Sequence, residues 1–191
     1  PTVSQTVARM ERDGLIVVER DRSLSLTSEG RALATSVMRK HRLAERLLTD
    51  ILKLDIDQVH DEACRWEHVM SDAVERRVID VLADASRSPF GNPIPSIEDT
   101  LGSSSSHSQA GTRVIDLRLD APTKVVVKQI NEILQQGTNV QDPLVRLGDL
   151  VGEEVTITPT NDGGVVVSTV NDETVEIAPE FAHALRVEIT D

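Results

Sequence analysis

VHDEACRWEHVMS (residues 59–71) sets four metal-ligating side chains, His60, Cys64, Glu67 and His68, at helical spacing. At 100° per residue, Cys64 lies about 40° from His60, Glu67 about 20° to the other side and His68 about 80° away, so all four project toward one stripe. A surface helix has no packing reason to crowd a thiol, a carboxylate and two imidazoles together. Upstream, HRLAE (41–45) repeats the logic, with His41 and Glu45 one turn apart on a shared face. Cys64 is the single cysteine of the chain. An internal disulfide is therefore impossible, the expected compartment is reducing, and the thiol serves either packing or ligation.

Working outward, 191 residues suggest one or two domains, and no stretch approaches the run of about 18 to 20 apolar residues needed to cross a bilayer. The opening residues carry no features of a secretory signal, so a soluble cytoplasmic protein without a membrane partner is expected. With no Tyr, two Phe and one Trp, the core must be aliphatic, and a stacking platform for single-stranded nucleic acid is not expected. The net charge of −12 is unevenly spread. Residues 1–50 hold nine Lys and Arg against seven Asp and Glu, and all the negative excess lies beyond them. Basic groups, the ones that contact phosphate, sit at the front.

PTVSQTVARMER (1–12) carries Val3, Val7 and Met10 at helical spacing, with Asp13-Gly14 as its stop. LIVV (15–18) and SLSLT (23–27), joined by the charged ERDR (19–22), read as a β-hairpin. Helix, turn and hairpin in this order form the end of a winged helix-turn-helix. Thr27 or Ser28 caps a long helix running to about Ile51, Asp55 or Asp57 opens a second to about Met70, and Ser71 caps a third, DAVERRVIDVLAD (72–84). The apolar face of the third, Val74, Val78, Ile79, Val81 and Leu82, needs a partner within the domain or in a second copy. SPFGNPIPSIEDTLG (88–102) and SSSSHSQAG (103–111) break the pattern, as a spacer or as a polyproline ligand for the domain beyond. From about residue 112 the runs KVVVK (124–128), EEVTIT (153–158), GVVVS (164–168), ETVEI (173–177) and LRVEI (185–189) predict a small β-barrel of SH3 type. The fold class is thus α+β multidomain: 1–27 as recognition helix and wing, 28–86 as a helical domain, 87–111 as linker and 112–191 as the SH3-like domain.

These segments resemble the iron-dependent repressors of the diphtheria toxin repressor family over nearly the whole chain. PTVSQTVARMERDGL matches that family's recognition-helix segment, VMRKHRLAERLL and VHDEACRWEHVMS its two metal-ligand segments, and SPFGNPIP its proline-rich segment. The resemblance implies an Fe²⁺-activated repressor of iron-uptake genes that binds palindromic double-stranded operator DNA as a homodimer. It implies a primary metal site at Cys64, Glu67 and His68. It also implies an ancillary site at His41, Glu45 and His60, completed by Glu132 and Gln135 of the SH3-like domain. Affinity order alone would favour Ni²⁺, Cu²⁺ or Zn²⁺ over Fe²⁺, so Fe²⁺ comes from the family and not from ligand chemistry, and Mn²⁺, Co²⁺, Ni²⁺ and Zn²⁺ are expected as substitutes. In that family an N-terminal helix adds a methionine sulfur to the primary site. No methionine precedes Met10 here, so the sequence reads as a fragment of a longer repressor.

For DNA, Gln5 is positioned to reach a base edge and Pro1 and Thr2 to touch thymine methyls, while Ser4, Arg9, Arg12 and Arg22 hold phosphates. Plainer roles stand beside these. A lone cysteine is usually a small buried hydrophobe, Glu45 beside Arg42 and Arg46 is an ordinary helix carboxylate, and Arg9, Arg12 and Arg22 are ordinary surface arginines. Competing functions are a manganese-responsive regulator of the same family, a metal buffer that binds no DNA, or a metallohydrolase. No paired general base marks the last, so neither an enzyme nor a small-molecule substrate is expected.

Overall fold

The computed structural model describes residues 2–97, 110–135 and 145–190. Pro1 and most of the serine-rich linker, with His107, lie outside the described residues. No helix among those described is long and apolar enough to cross a membrane.

The first helix, α1 (Val3–Arg12), begins with a reciprocal cap: Thr2 Oγ1 accepts from Gln5 N, and Gln5 Oε1 accepts from Thr2 N. Gly14, at φ +73°, turns the chain into β1 (Ile16–Val18), which pairs antiparallel with β2 (Leu24–Leu26). Arg22 sits at φ +69° in the tip between them. Thr27 then joins hairpin to helix: its hydroxyl donates to Gly14 O at 2.7 Å and accepts from Gly30 N at 3.0 Å, capping α2 (Ser28–Arg46). A Cβ on Gly30 would lie 1.9 Å from Leu15 O, so only glycine lets the first turn of α2 meet the base of the hairpin.

A π-helical turn, Leu47–Ile51, carries α2 to the expected end. α3 (Ile56–Trp66) is shorter than expected. Glu67 is its C-cap, and Val69 N and Met70 N both turn back to Trp66 O. α4 (Asp72–Val81) follows, with Ser71 Oγ accepting from Val74 N. Leu43 of α2 packs with Val78, Leu82 and Ile94, while Val74 and Val81 of α4 remain exposed. A buried ion pair, Arg39–Glu75, ties α2 to α4.

The remaining strands are β3 (Thr112–Arg113), β4 (Thr123–Ile130), β5 (Glu154–Pro159), β6 (Val165–Ser168), β7 (Thr174–Ile177) and β8 (Leu185–Ile189). They form one antiparallel sheet in the order β3-β8-β4-β5-β6-β7. Period-two alternation buries Val125, Val127, Val155, Ile157, Val165, Val167, Val175, Ile177, Leu185 and Val187. This cluster is continuous with Phe90 and with Ala44, Leu48, Val59 and Ala63 of the helical region.

Residues 88–96, expected as part of a linker, are packed instead. Phe90 O accepts from Ile130 N at 2.9 Å, and Asn92, fully buried, donates to Ile130 O at 2.7 Å while accepting from Gln129 Nε2 at 2.9 Å. This is a side-chain and main-chain clasp on β4. Gly91 sits at φ +77°, and a Cβ there would fall 2.1 Å from Lys128 O. Gly91→Ala is therefore expected to cost at least about 1–3 kcal/mol for the backbone conformation alone. Urea unfolding checks this, and an unchanged midpoint would mean that the segment detaches from β4 at little cost.

Candidate metal centre

Helices α2 and α3 pack side by side, and the ligand types sit along their seam. His41 Nε2 is 3.0 Å from Glu45 Oε1 one turn on, an i, i+4 pair that α2 supplies by its geometry alone. Its Nδ1 is 2.7 Å from Glu67 Oε2, just past the end of α3. From α3, His60 Nδ1 approaches Glu45 Oε1 at 3.8 Å, and His60 Nε2 lies 3.5 Å from Cys64 Sγ. His41, Glu45 and His60 are buried, Glu45 completely.

Charge is balanced locally. Burial opposes ionisation of Glu45, but the hydrogen bond from His41 and the nearby His60 imidazole win and hold its carboxyl below the usual range. Burial also disfavours the His41 imidazolium, yet Glu45 and Glu67 outweigh it and raise its pKa. Burial, reinforced by Glu67, Asp61 and Glu45, pushes the Cys64 thiol up to about 11. It is a neutral thiol near pH 7, so any cation that takes the sulfur must displace a proton.

The donor set fits a divalent transition metal. Six buried side-chain atoms among the described residues have no hydrogen-bond partner, and three of them are Glu45 Oε2, His60 Nδ1 and Gln135 Oε1. Such orphans are rare in folded proteins, and all three belong to the set expected for the ancillary site.

The expected ligands are not equally assembled. His41, Glu45, His60, Cys64 and Glu67 come together. His68 contacts Glu67 Oε1 at 3.1 Å, but its side chain is 69% exposed, because the helix stops at Trp66 and leaves the stripe assumed for a continuous helix. Glu132, in a 3₁₀ turn at Glu132–Leu134, accepts from Arg42 Nε at 2.7 Å, and Gln135 Nε2 donates to Ile130 O at 2.7 Å. Arg42 escaped the sequence reading as a functional residue. It also donates to Pro93 O at 2.6 Å, so a single guanidinium bridges α2, the clasp and the SH3-like domain. No periodicity in the sequence signals a contact of that range.

Residues 27–96 match the family described as iron dependent repressor, metal binding and dimerisation domain, and residues 109–189 match the diphtheria toxin repressor SH3 domain. The chain is 58% identical to the diphtheria toxin repressor of Corynebacterium diphtheriae, over 98% of this chain and 82% of that protein. It belongs to the diphtheria toxin repressor family. The iron-dependent repressor IdeR of Mycobacterium tuberculosis is 49% identical over 98% of this chain and 83% of its own length. Among solved structures, IdeR of T. acidophilum superposes with a TM-score of 0.68 at 26% identity, covering 98% of this chain and 82% of that one. These relatives are repressors, and they lend no support to a buffer or a metallohydrolase.

In this member of the diphtheria toxin repressor family, Thr2, Ser4, Gln5, Arg9, Arg12 and Arg22 are all exposed on α1 and the hairpin. Thr2 and Gln5, expected to meet bases, spend Oγ1 and Oε1 on capping α1.

The buried His41–Glu45 pair makes stability pH-dependent. The raised His41 pKa adds stability that is full below about 6.5 and is lost as pH climbs through the raised value. The depressed Glu45 pKa adds stability that is present above about 4.5 and is lost as pH falls through the lowered value. With a chelator present, thermal unfolding across pH should show both losses, and His41→Gln should flatten the alkaline one. An unaltered alkaline limb in that variant would remove His41 as its source.

Proposed function

We propose that the protein is an Fe²⁺-activated repressor that acts as a homodimer on palindromic operator DNA in the cytoplasm and controls iron-uptake genes. One observation carries the reading: α2 joins both ends of the device. Its N-terminus is locked to the hairpin by Thr27 and Gly30, and about 20 Å further on, at 1.5 Å per residue, it presents His41 and Glu45 to α3. A shift of α2 against α3 therefore moves the DNA-reading elements as a body.

Cys64, Glu67 and His68 would hold a primary ion, and His41, Glu45, His60, Glu132 and Gln135 an ancillary one. A bound cation supplies the positive charge that these carboxylates and unpartnered nitrogens and oxygens lack. For His68 to join Cys64 and Glu67, the turn after Trp66 must bring the imidazole inward. For Glu132 to join, its salt bridge to Arg42 must open, which would couple loading to the SH3-like domain. The exposed Val74 and Val81 face of α4 offers an apolar surface to a second copy.

On DNA, Arg9, Arg12 and Arg22 would neutralise phosphates while Ser4 and Gln5 face the groove. The readout from such short side chains is modest, so half-site spacing and DNA shape carry much of the specificity. Anaerobic titration with Fe²⁺ in a gel-shift assay tests the reading. Operator binding should require metal and should fail in a Cys64→Ala, His68→Ala variant. Equal retardation of operator and random DNA would overturn it. A manganese-responsive regulator is the second reading, and the thiol of Cys64 favours iron over manganese.

A further inference from the structure

The strand order β3-β8-β4-β5-β6-β7 gives β7 a neighbour on one side only. The hairpin before it decides which of its main-chain groups face the open side. Thr169 N donates to Glu173 O at 2.9 Å. Bonded and non-bonded pairs alternate along an antiparallel ladder, so Val167 with Val175 and Val165 with Ile177 exchange hydrogen bonds, whereas Ser168 with Thr174 and Val166 with Glu176 do not. The pairing of β5 with β6 agrees, because Pro159, which has no N–H, stands opposite Val165. The N–H and C=O of Thr174 and Glu176 therefore point away from β6, and among the described residues they meet no main-chain partner.

Such an edge is a template for a further strand unless its charges or bends refuse one. The opposite edge, β3, is only two residues long, and Arg113 there is paired with Asp116. Along β7 the side chains alternate strictly, Thr174 and Glu176 exposed and Val175 and Ile177 buried. An added strand would meet solvent and carboxylate on one face and the margin of the core on the other.

Charge selects the occupant. Residues 147–185 hold eight Asp and Glu and no Lys or Arg, and this span supplies β5, β6, β7 and the 3₁₀ turn Pro179–Ala184. Asp172 before β7, Glu176 within it and Glu180 after it are all exposed. Nucleic acid is repelled by this edge. A second copy of β7 is disfavoured too, since self-pairing would set one acidic strand against another. An extended segment with Lys or Arg at alternate positions meets neither objection.

We propose that β7 is a docking edge of the SH3-like domain, which takes up an extended basic segment of a partner protein as a further strand. The main-chain groups of Thr174 and Glu176 supply the affinity, and the carboxylates around them select Lys and Arg. The edge uses none of the expected metal ligands or DNA-reading residues, so it stands apart from the repressor reading.

The test titrates the isotope-labelled full chain with a capped peptide of alternating Lys and Val, followed by NMR and amide exchange. The Thr174 and Glu176 N–H signals should shift and their exchange should slow by about fivefold or more as each gains a hydrogen bond. Val175 and Ile177, already bonded to β6, should change less. Glu176→Lys, which reverses an exposed charge, should weaken binding by about threefold or more. Thr174→Pro removes one outward N–H at a position where an edge strand accepts proline, and it should abolish the added strand. Because that variant can disturb the hairpin, two further peptides test the same point on the unmutated chain. One is N-methylated along its main chain, the other has Glu in place of Lys, and neither should bind. Equal binding of the N-methylated peptide would reduce the contact to loose electrostatic adhesion, and equal binding of the Glu peptide would remove the selection by charge. Either overturns the proposal. So does slow exchange of Thr174 and Glu176 in the free chain, which would mean that another segment or a second copy already covers the edge.

Discussion

Replacing Glu75 by alanine is expected to lower the free energy of unfolding by about 3–5 kcal/mol, the cost of leaving a buried charge without its partner. The Arg39 and Glu75 side chains are both about 95% buried. The remaining hydrogen bond seen for Arg39, from Nη1 to Ser96 O at 3.2 Å, goes to a neutral carbonyl. Arg39 is itself only 4% exposed, so its guanidinium has little access to water that would replace the lost carboxylate. Replacing both partners with apolar side chains, Arg39→Met with Glu75→Leu, should restore most of the loss, because an apolar pair carries no desolvation penalty. Denaturant unfolding of the two singles and the double closes the cycle. A single-variant loss below about 1 kcal/mol, the range of an exposed ion pair, would show that Arg39 swings out into solvent.

The second large effect is on metal affinity. Glu45→Gln keeps the volume of a fully buried side chain and removes only its charge. It should weaken binding of hard divalent ions such as Mn²⁺ or Fe²⁺ by about 100-fold or more, exceeding the 10- to 100-fold typical of losing a group one step removed from the metal. A competition assay against a chromophoric chelator measures it, together with the rise in Tm on metal addition. Unchanged Mn²⁺ affinity in Glu45→Gln would take Glu45 out of the ligand set and return it to a purely structural pairing with His41.

Much of the fold was legible in the chain because its cues are local. The Thr27 and Ser71 caps, the Gly14 turn, the wing strands and five of the six strands of the SH3-like domain stand where capping chemistry, glycine conformation and period-two alternation put them. The short β3 was missed, since two residues carry no alternation to read. The end of α3 was placed too late because periodicity continues through Glu67 and His68 while the backbone does not, and that shift exposes His68.

By itself, the sequence determined which residue types can bind metal, that His41 pairs with Glu45 and His60 with Cys64 one turn apart, and the order of the elements. Each is a relation between residues a few positions apart, governed by the pitch of a helix or the pleat of a strand. Tertiary structure alone decided that α2 and α3 lay His41 beside His60, that Glu67 turns to His41, that residues 88–96 clasp β4, and that Arg42 holds Glu132 across 90 positions. Those contacts come from how the helices and the sheet share one hydrophobic core, and packing between distant segments leaves no period in the chain that forms it.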